Sequence, residues 1–327
     1  MKEMIYSVQK RILNGGSITN NEAMDLLKIN DQDPELKDLY KAANEIRQHF
    51  QGDAFDLCTI MNIKSGKCSE DCRFCAQSIH FETPAESFPL VDTDAILERA
   101  KEMEREGVHR FSLVSSGRGV DPNDFEKLLE IYSRIHKETS LKICASHGII
   151  NYDQALQLKE AGVLRYHHNL ETSREYYASI CTTHSFEERI QTLSACMKAG
   201  MEVCSGGILG LGENLEDRLS MAFELKELGV DSIPINILNP IPGTPLEGNV
   251  PLKEETILKT IAVYRFIHPK VHLRYAGGRN VLGDAFEKGY QAGINGVLTG
   301  NLLTTTGKNI REDKAIVLKN NFTVEVY

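Results

Sequence analysis

The sequence predicts an α/β fold, a (βα)8 TIM-type barrel of eight parallel strands with extra N-terminal helices. Eight short β-branched or apolar segments alternate with longer amphipathic segments of helical periodicity, and this alternation favours a parallel sheet that closes on itself. Several helix-to-strand junctions share one pattern, EREGVHRFSL and KEAGVLRYHH among them, in which a glycine ends the helix and an apolar residue leads into the strand. An open, doubly wound sheet is the alternative for the same alternation.

Short apolar runs mark the candidate strands, at residues 55–63, 110–115, 141–146, 163–169, 201–209, 232–238, 271–276 and 294–299. Helical segments lie between them, at residues 92–106, 123–137, 152–161, 185–199, 214–228, 253–267 and 282–292. Asp92 and Asn123 are suited to cap their helices, because a short polar side chain can accept a hydrogen bond from a free backbone N–H. The elements therefore follow one another in the order that a barrel requires.

The chain divides into three predicted parts. Residues 1–50 form a helical extension that covers the bottom or the flank of the barrel, and residues 51–308 form the barrel itself. Residues 309–327 form a C-terminal tail that is polar with a short apolar end. Because no Pro/Ser-rich linker interrupts the chain, we expect one continuous barrel unit.

Composition and charge exclude several classes of protein. Hydrophobic residues make up 41% and charged residues 25% of the 327 positions, which is typical of a globular protein. The formal charge of −9 and the lack of a basic block argue against a nucleic-acid partner. No apolar run reaches the length of a membrane span, and the N-terminus lacks the apolar region of a signal peptide. We therefore expect a cytoplasmic protein with no membrane partner.

Three cysteines lie within eight residues, Cys68, Cys72 and Cys75, in the spacing C-x3-C-x2-C. They follow the first predicted strand, at the C-terminal face of a barrel, where active sites of this fold lie. Three thiolates from one loop can hold three irons of a four-iron cluster and leave the fourth iron open to a ligand. One alternative is a structural zinc site that His80 completes. The other is that the three thiols have no common function.

Polar and thiol side chains also occupy the middle of strands that should be almost wholly apolar in a parallel barrel. They are Ser112, Cys144, His167, Asn169, Cys204, Asn236 and Arg274. A buried arginine is costly without a partner, and breaks of this kind in the local pattern tend to mark functional sites. The interior of the barrel is therefore a candidate site.

The cysteine motif after the first strand resembles the signature of the radical S-adenosylmethionine (SAM) superfamily. Six segments resemble the biotin synthase family within it and run in the family's order, namely NIKSGKCSEDCRFCAQS, RYHHNLETS, VCSGGILGLGE, PINILNPIPGTPL, LRYAGGR and LLTTTG. They extend from Asn62 to Gly307, about three quarters of the chain. The resemblance implies a [4Fe–4S] cluster on Cys68, Cys72 and Cys75 whose open iron binds SAM, and one-electron cleavage of SAM to a 5′-deoxyadenosyl radical.

The resemblance also implies an auxiliary iron–sulfur cluster inside the barrel. In biotin synthases of the best-known type this is a [2Fe–2S] cluster held by three cysteines and one arginine. Cys144, Cys204 and Arg274 match three of these ligands, whereas Ser112 stands where the family pattern has cysteine. Serine ligates iron only as an alkoxide, and its high pKa makes it a poorer ligand than a thiolate.

Three explanations follow from this departure. The auxiliary cluster is held with serine ligation, or another cysteine, Cys181 or Cys58, takes part around a different cluster such as a four-iron one, or the cluster is absent and the function is altered. We favour a different auxiliary cluster that keeps Cys144 and Cys204 as ligands.

The family pattern further assigns contacts to SAM and to the expected substrate, dethiobiotin. For SAM these are Glu171 at the ribose and the bare backbone of Gly206 and Gly207. For dethiobiotin they are Asn169 and Asn236 at the ureido ring and Thr304 and Thr305 at the tail carboxylate. Amide side chains suit that ring because they both donate and accept hydrogen bonds.

The resemblance implies an enzyme that inserts sulfur at C6 and C9 of dethiobiotin to form biotin, with the auxiliary cluster as the sulfur source. It also implies a homodimer, a flavodoxin or ferredoxin as reductant, and partner proteins that assemble iron–sulfur clusters and resupply sulfur. The alternatives are another radical SAM enzyme, such as a hydrogenase-maturation or methylornithine-forming enzyme, a non-catalytic iron–sulfur carrier, and a zinc-stabilised binding protein.

Overall fold

A computed structural model describes residues 1–300 and 309–324. Three helices come first, α1 (Lys2–Leu13), α2 (Asn20–Leu27) and α3 (Leu36–Gln51). The barrel strands are β1 (Ala54–Lys64), β2 (Arg110–Ser115), β3 (Lys142–Ser146), β4 (Val163–His167), β5 (Glu202–Cys204), β6 (Gly207–Leu209), β7 (Ser232–Ile237), β8 (His272–Tyr275) and β9 (Gly296–Thr299). Every pairing among them is parallel, and β1 pairs with both β2 and β9, which closes the barrel and confirms the predicted fold.

The strand predicted at residues 201–209 is divided into β5 and β6, which together occupy one position in the barrel wall. The interruption has a specific cause. The N–H of Gly206 donates to the side-chain oxygen of Asn169 (3.1 Å), and its carbonyl accepts from the N–H of Leu170 (2.9 Å). These bonds to the loop after β4 replace the regular pairing for two residues.

The outer helices fill the predicted positions. They are α4 (Thr93–Arg105), α5 (Pro122–Glu138), α6 (Tyr152–Glu160), α7 (Phe186–Lys198), α8 (Leu215–Leu228) and α9 (Glu254–Ile267). Asp92 caps α4 as predicted, because its side chain accepts from the N–H of Asp94. The predicted cap Asn123 is wrong by two residues, since Asp121 caps α5 and Pro122 takes the first turn, where its missing N–H costs nothing.

The helix predicted at residues 282–292 is only partly present. The chain forms a 3-10 helix over Arg279–Glu287 and then one short α-helix, α10 (Lys288–Gln291). Gly283 has φ +49° and ψ −129°, a conformation outside the helical region that only glycine adopts readily, so a kink interrupts the 3-10 segment itself.

The N-terminal helices cover the flank of the barrel and reach its lower rim. Helix α3 packs against α9, and α2 packs against α8 and α9. The Lys259 ammonium in α9 donates to the carbonyl of Ile29 (2.6 Å) and pairs with Asp31 (2.9 Å). At the end of α3, the Gln51 side chain accepts from the amide of Asn295 (3.3 Å), just before β9.

The segment predicted as a tail is folded where it is described. It contains α11 (Ile310–Lys319) and a two-residue strand, β10 (Thr323–Val324), which pairs in parallel with the start of β1. Arg279 holds α11 through two hydrogen bonds to the buried Asp313 carboxylate (2.9 and 2.7 Å). Phe322 packs edge-on against Phe55 of β1 at 5.0 Å between ring centroids. The segment is therefore attached to the barrel by a charge pair after β8 and by an aromatic contact at the start of β1.

Candidate active site

A cavity of about 420 Å³ lies inside the barrel and opens at the C-terminal ends of the strands. It brings together most of the predicted site residues that the structure describes, namely Cys68, Cys72, Cys75, Ser112, Cys144, Asn169, Glu171, Cys204, Asn236 and Arg274, together with Cys58 and His167. The period of two along a strand explains this convergence, because alternate side chains point inward. Gly206, Gly207 and Cys181 do not line the cavity. Thr304 and Thr305 lie outside the described residues.

The three clustered cysteines are held by a loop that folds back after β1. The N–H of Cys68 donates to the carbonyl of Gln77 (3.0 Å), and the N–H of Cys75 donates to the carbonyl of Cys72 (2.9 Å). Burial raises the pKa of the Cys75 thiol to about 11 and also raises that of Cys68. A bound cation is therefore needed to hold these groups as thiolates. All eight cysteines lie among the described residues and none forms a disulfide.

Cys181 lies against this loop rather than in the barrel interior. Its sulfur is 3.7 Å from the sulfur of Cys72 and 3.3 Å from Nδ1 of His184. The His184 ring faces Oε2 of Glu70 (2.5 Å), a residue of the cysteine loop. Cys72, Cys181 and His184 are all buried, and their potential ligand atoms lie within 4.8 Å of one another.

A second group of thiols lies deeper in the cavity, on strands β1, β3 and β5. The thiols of Cys58 and Cys144 lie close together, and their interaction lowers the pKa of Cys144 and raises that of Cys58, while Arg110, Arg165 and Arg274 further lower that of Cys144. Nη1 of Arg110 lies 3.9 Å from the sulfur of Cys144. Burial alone would raise the pKa of Cys204, but a hydrogen bond from His167 and the charge of Arg274 bring it to about 7. The interior therefore favours the thiolate forms of Cys144 and Cys204.

Ser112 lies on β2 beside Cys144 in the strand register, and it lines the cavity. Its other register partner is Ile60 of β1, two residues after Cys58. Ser112 is thus next to Cys144 on the adjacent strand, and Cys58, one strand further along, supplies the thiol that interacts with Cys144.

Arginines surround a single buried carboxylate beneath the thiols. Nη2 of Arg274 donates to Oδ2 of Asp56 (2.6 Å), while Nη1 of Arg165 (3.3 Å) and Nε of Arg110 (3.6 Å) approach the same oxygen. The half-exposed Glu202 pairs with Arg165 at 2.7 Å. Three guanidinium groups therefore meet two carboxylates, and the surplus positive charge lies next to Cys144 and Cys204.

Sequence reasoning found Arg274 but not Asp56, Arg110 or Arg165. The sequence did contain a signal for two of them. Asp56 is two residues before Cys58 in β1, and Arg110 is two residues before Ser112 in β2, so each shares a strand face with a predicted site residue or candidate ligand. Charged residues at inward-facing positions of a parallel strand have to be paired with opposite charges across the barrel. Which strands supply the partners depends on barrel closure.

Asn169 and Asn236 each keep part of their hydrogen-bonding capacity for a ligand. Asn169 donates to Glu171 (3.3 Å) and accepts from the N–H of Gly206 (3.1 Å). Asn236 donates to the carbonyl of Gly207 (3.2 Å) and accepts from the N–H of Gly277 (2.9 Å). A primary amide has two N–H donors and two lone pairs, so one of each remains on both side chains.

Glu171 has an unusual backbone conformation, with φ +72°. Such values are uncommon outside glycine and cluster at functional sites. The conformation directs its carbonyl to the N–H of Ile208 (2.9 Å) and leaves its carboxyl group at the cavity wall. Burial raises the pKa of this carboxyl group, and the Arg189 guanidinium, 3.8 Å away, opposes that effect.

Gly206 and Gly207 are explained by packing. A Cβ on Gly206 would lie 2.1 Å from the carbonyl oxygen of Pro234, and one on Gly207 would lie 2.4 Å from the carbonyl oxygen of Glu171. Both neighbours are backbone atoms, which cannot move aside without shifting a strand. The absence of side chains here allows β6 to pack between β7 and the loop after β4.

We expect Gly206→Ala to destabilise the metal-free protein by about 1–3 kcal/mol, the usual cost of overpacking. The thermal unfolding midpoint measures the effect. Gly248→Ala is the matched control, because a Cβ at Gly248 meets open space. An unchanged midpoint together with weakened SAM binding would instead indicate that Gly206 acts through the ligand.

Among the described residues, no helix has the length and apolarity needed to cross a membrane. The family model for the radical SAM superfamily matches residues 62–225, and the model for the biotin and thiamin synthesis associated domain matches residues 234–323. The first match alone covers half of the chain.

Curated relatives match the full length of the chain. Biotin synthase of Clostridium tetani is 51% identical over 327 residues, which is 100% of both chains. Biotin synthase of Acetivibrio thermocellus is 50% identical and covers 96% of this chain and 98% of its own. Biotin synthase of Clostridioides difficile is 50% identical and covers 98% of this chain and 99% of its own.

Solved structures agree on the fold. The crystal structure of methylornithine synthase superposes with a TM-score of 0.85 at 22% identity, covering 98% of this chain and 97% of the other. The FeFe-hydrogenase maturase HydG from Carboxydothermus hydrogenoformans gives a TM-score of 0.82 at 17% identity, covering 98% and 79%. At such low identity these likenesses concern the barrel architecture alone. By its full-length identity to curated members, the chain belongs to the biotin synthase family of radical SAM enzymes.

Proposed function

We propose that this protein converts dethiobiotin to biotin by SAM-dependent insertion of sulfur at C6 and C9, with an auxiliary iron–sulfur cluster inside the barrel as the sulfur source. The observation that carries the proposal is that two separate groups of thiols line one cavity inside the barrel. One group, Cys68, Cys72 and Cys75, belongs to the loop after β1. The other, Cys58, Cys144 and Cys204, belongs to the strands below it.

The loop cysteines are suited to hold the [4Fe–4S] cluster of the superfamily. Three thiols face one cavity without disulfides, and a cluster with three protein ligands leaves one iron for SAM. When bound, the cluster and SAM would supply the 5′-deoxyadenosyl radical for hydrogen abstraction from dethiobiotin, and the auxiliary cluster would supply the sulfide. The chain itself positions the ligands and excludes water from the reaction.

For the auxiliary cluster we propose Cys58, Cys144, Cys204 and Arg274 as ligands, with Cys58 in place of the family cysteine at Ser112. The contact between the Cys58 and Cys144 thiols supports this set, as does the surplus positive charge beside them. Both features fit a two-iron or four-iron cluster that has a net negative charge. Ser112 as an alkoxide is the weaker alternative.

The remaining family contacts complete the proposal. Glu171 would hold the ribose of SAM at the cavity wall, with the backbone of Gly206 and Gly207 near it. The free N–H and lone pair on Asn169 and on Asn236 would bind the ureido ring of dethiobiotin. Thr304 and Thr305 would bind the carboxylate tail, as the family pattern implies. A homodimer, a flavodoxin or ferredoxin reductant, cluster-assembly and sulfur-supply partners and a cytoplasmic location also remain proposals.

The experiment that tests this function is a Mössbauer spectrum of anaerobically purified protein labelled with iron-57. We expect two iron–sulfur components, one of which changes when SAM is added. Cys72→Ser should remove the SAM-responsive component and abolish both SAM cleavage and biotin formation, because it removes a cluster ligand. A single [4Fe–4S] component in fully loaded protein would contradict the sulfur source and would favour another radical SAM reaction.

A further inference from the structure

Cys181 is the one buried cysteine close to the cluster loop that the proposed function does not use, among the residues that the structure describes. It is 3% exposed and lies just after the 3-10 helix Tyr177–Ser179. Its turn is fastened to the cluster loop, because the N–H of Arg73 donates to the carbonyl of Ile180 (2.9 Å) and the N–H of Thr182 donates to Asp71 (2.8 Å). The distance of 3.7 Å between the sulfurs of Cys181 and Cys72 is therefore fixed by surrounding bonds.

The protonation of His184 follows from its neighbours. Nη2 of Arg189 lies 2.9 Å from Nε2 of His184, and arginine can only donate, so Nε2 must accept. The ring proton is then on Nδ1, which faces Glu70 (2.5 Å) and the sulfur of Cys181 (3.3 Å). His184 consequently donates its one ring proton to the nearer Glu70 carboxylate, and it has no free lone pair to take the proton of the Cys181 thiol.

The same argument weighs against a separate metal site at Cys72, Cys181 and His184. Ligation through Nδ1 of His184 would move the ring proton to Nε2, where it would face the Arg189 donor. Two donors would then be in contact inside the protein, which is unfavourable.

The thiol proton of Cys181 has three acceptors within reach, Asp71, Thr183 and Cys72. The oxygens of Asp71 already accept from both Thr182 and Thr183. Oγ1 of Thr183 accepts from the N–H of Asp71 (3.2 Å) and donates to Glu70 (2.8 Å). A Cys72 sulfur bound to iron is an anionic acceptor with no other side-chain donor among the described contacts.

We propose that Cys181 donates an S–H hydrogen bond to the Cys72 thiolate and thereby raises the reduction potential of the [4Fe–4S] cluster. The inference rests on the proposed role of Cys72 as a cluster ligand. Hydrogen bonds to cluster sulfurs are among the factors that set these potentials, because they stabilise the extra negative charge of the reduced state. Cys181 is thus a tuning residue that eases electron delivery to the cluster.

The test is an EPR-monitored redox titration of the fully loaded protein, following the signal that changes when SAM is added. In Cys181→Ala we expect the ratio of reduced to oxidised cluster at a fixed potential to fall about tenfold, equivalent to about 59 mV for one electron. In Cys181→Ser, which keeps a hydrogen-bond donor, the ratio should lie between the values for the wild type and for Cys181→Ala. Cys196→Ala is the matched control, because Cys196 is buried in α7 and does not line the cavity.

An unchanged potential in fully loaded Cys181→Ala overturns the inference. Loss of cluster iron in that variant also overturns it, since Cys181 would then be a ligand. If the alanine variant does not fold, Cys181→Val, which fills the space without a donor, provides the same comparison. A SAM-responsive cluster that survives in Cys72→Ser would instead contradict the ligand assignment of the proposed function.

Discussion

Replacing Cys144 with alanine is expected to abolish biotin formation while SAM cleavage continues. Cys144 lies on β3 inside the barrel, where its thiol contacts Cys58, and it does not belong to the loop of Cys68, Cys72 and Cys75. Loss of even an indirect partner of a metal ligand costs about 10–100-fold in affinity or activity. Loss of a ligand itself should therefore reduce biotin formation by more than about 100-fold.

The measurement quantifies biotin and 5′-deoxyadenosine in the same anaerobic reaction. Cys58→Ala and Cys204→Ala should show the same separation of the two products, whereas Ser112→Ala should retain biotin formation. Cys196→Ala, altered in a helix away from the cavity, should retain both. Equal loss of both products in Cys144→Ala would mean that the two thiol groups serve one cluster, and loss of biotin in Ser112→Ala would return Ser112 to the ligand set.

Replacing Asp56 with asparagine is expected to destabilise the metal-free protein by about 3–5 kcal/mol, the usual cost of breaking a buried ion pair from one side. Asp56 is fully buried and lies against the guanidinium groups of Arg274, Arg165 and Arg110. Without its charge, these cations remain buried with only the half-exposed Glu202 as a carboxylate partner. The expected result is a lower urea midpoint with an unchanged slope.

The pH dependence of this effect has a definite sign. Burial would raise the pKa of Asp56, but Arg274 and the other cations outweigh it and hold the pKa well below the usual value. A lowered pKa in the folded state contributes stability above the unfolded pKa, about 3.9, and that stability is lost as the pH falls toward the folded value. The difference between wild type and Asp56→Asn should therefore narrow below about pH 4.

Asp53→Asn is the matched control, because the Asp53 side chain is 56% exposed and its distance to Arg47 is 3.8 Å. An exposed pair of this kind contributes at most about 1 kcal/mol. Similar urea midpoints for the two variants would contradict this prediction, because burial of the three arginines would then not require the charge of Asp56.

The charge pattern of the barrel floor also bears on the proposed auxiliary cluster. Strands β1, β2, β4 and β8 each supply one charged residue to the group around Asp56. The group fixes Arg274 from below while its surplus positive charge faces the thiols. A site of this kind favours an anionic occupant before any ligand bond forms.

The sequence by itself determined the barrel, because the alternation of strand and helix is a local property of spacing and composition. Strand β2 lies at the predicted bounds, and β1 differs from prediction by one residue at each end. The C-x3-C-x2-C motif is equally local, since one loop brings its thiols to one cavity. Resemblance along the chain then identified the family.

Only the tertiary structure decided which distant residues meet. Along the chain, Cys58 and Cys181 are equally plausible partners for Cys144, but the pairing of β1 and β3 with β2 brings Cys58 near Cys144, and the turn after β4 brings Cys181 against Cys72. The cations around Asp56 and the pairing of β10 with β1 likewise depend on contacts across the fold. Sequence spacing governs the geometry of a single segment, whereas the proximity of two segments follows from strand register and closure, which the whole chain sets at once.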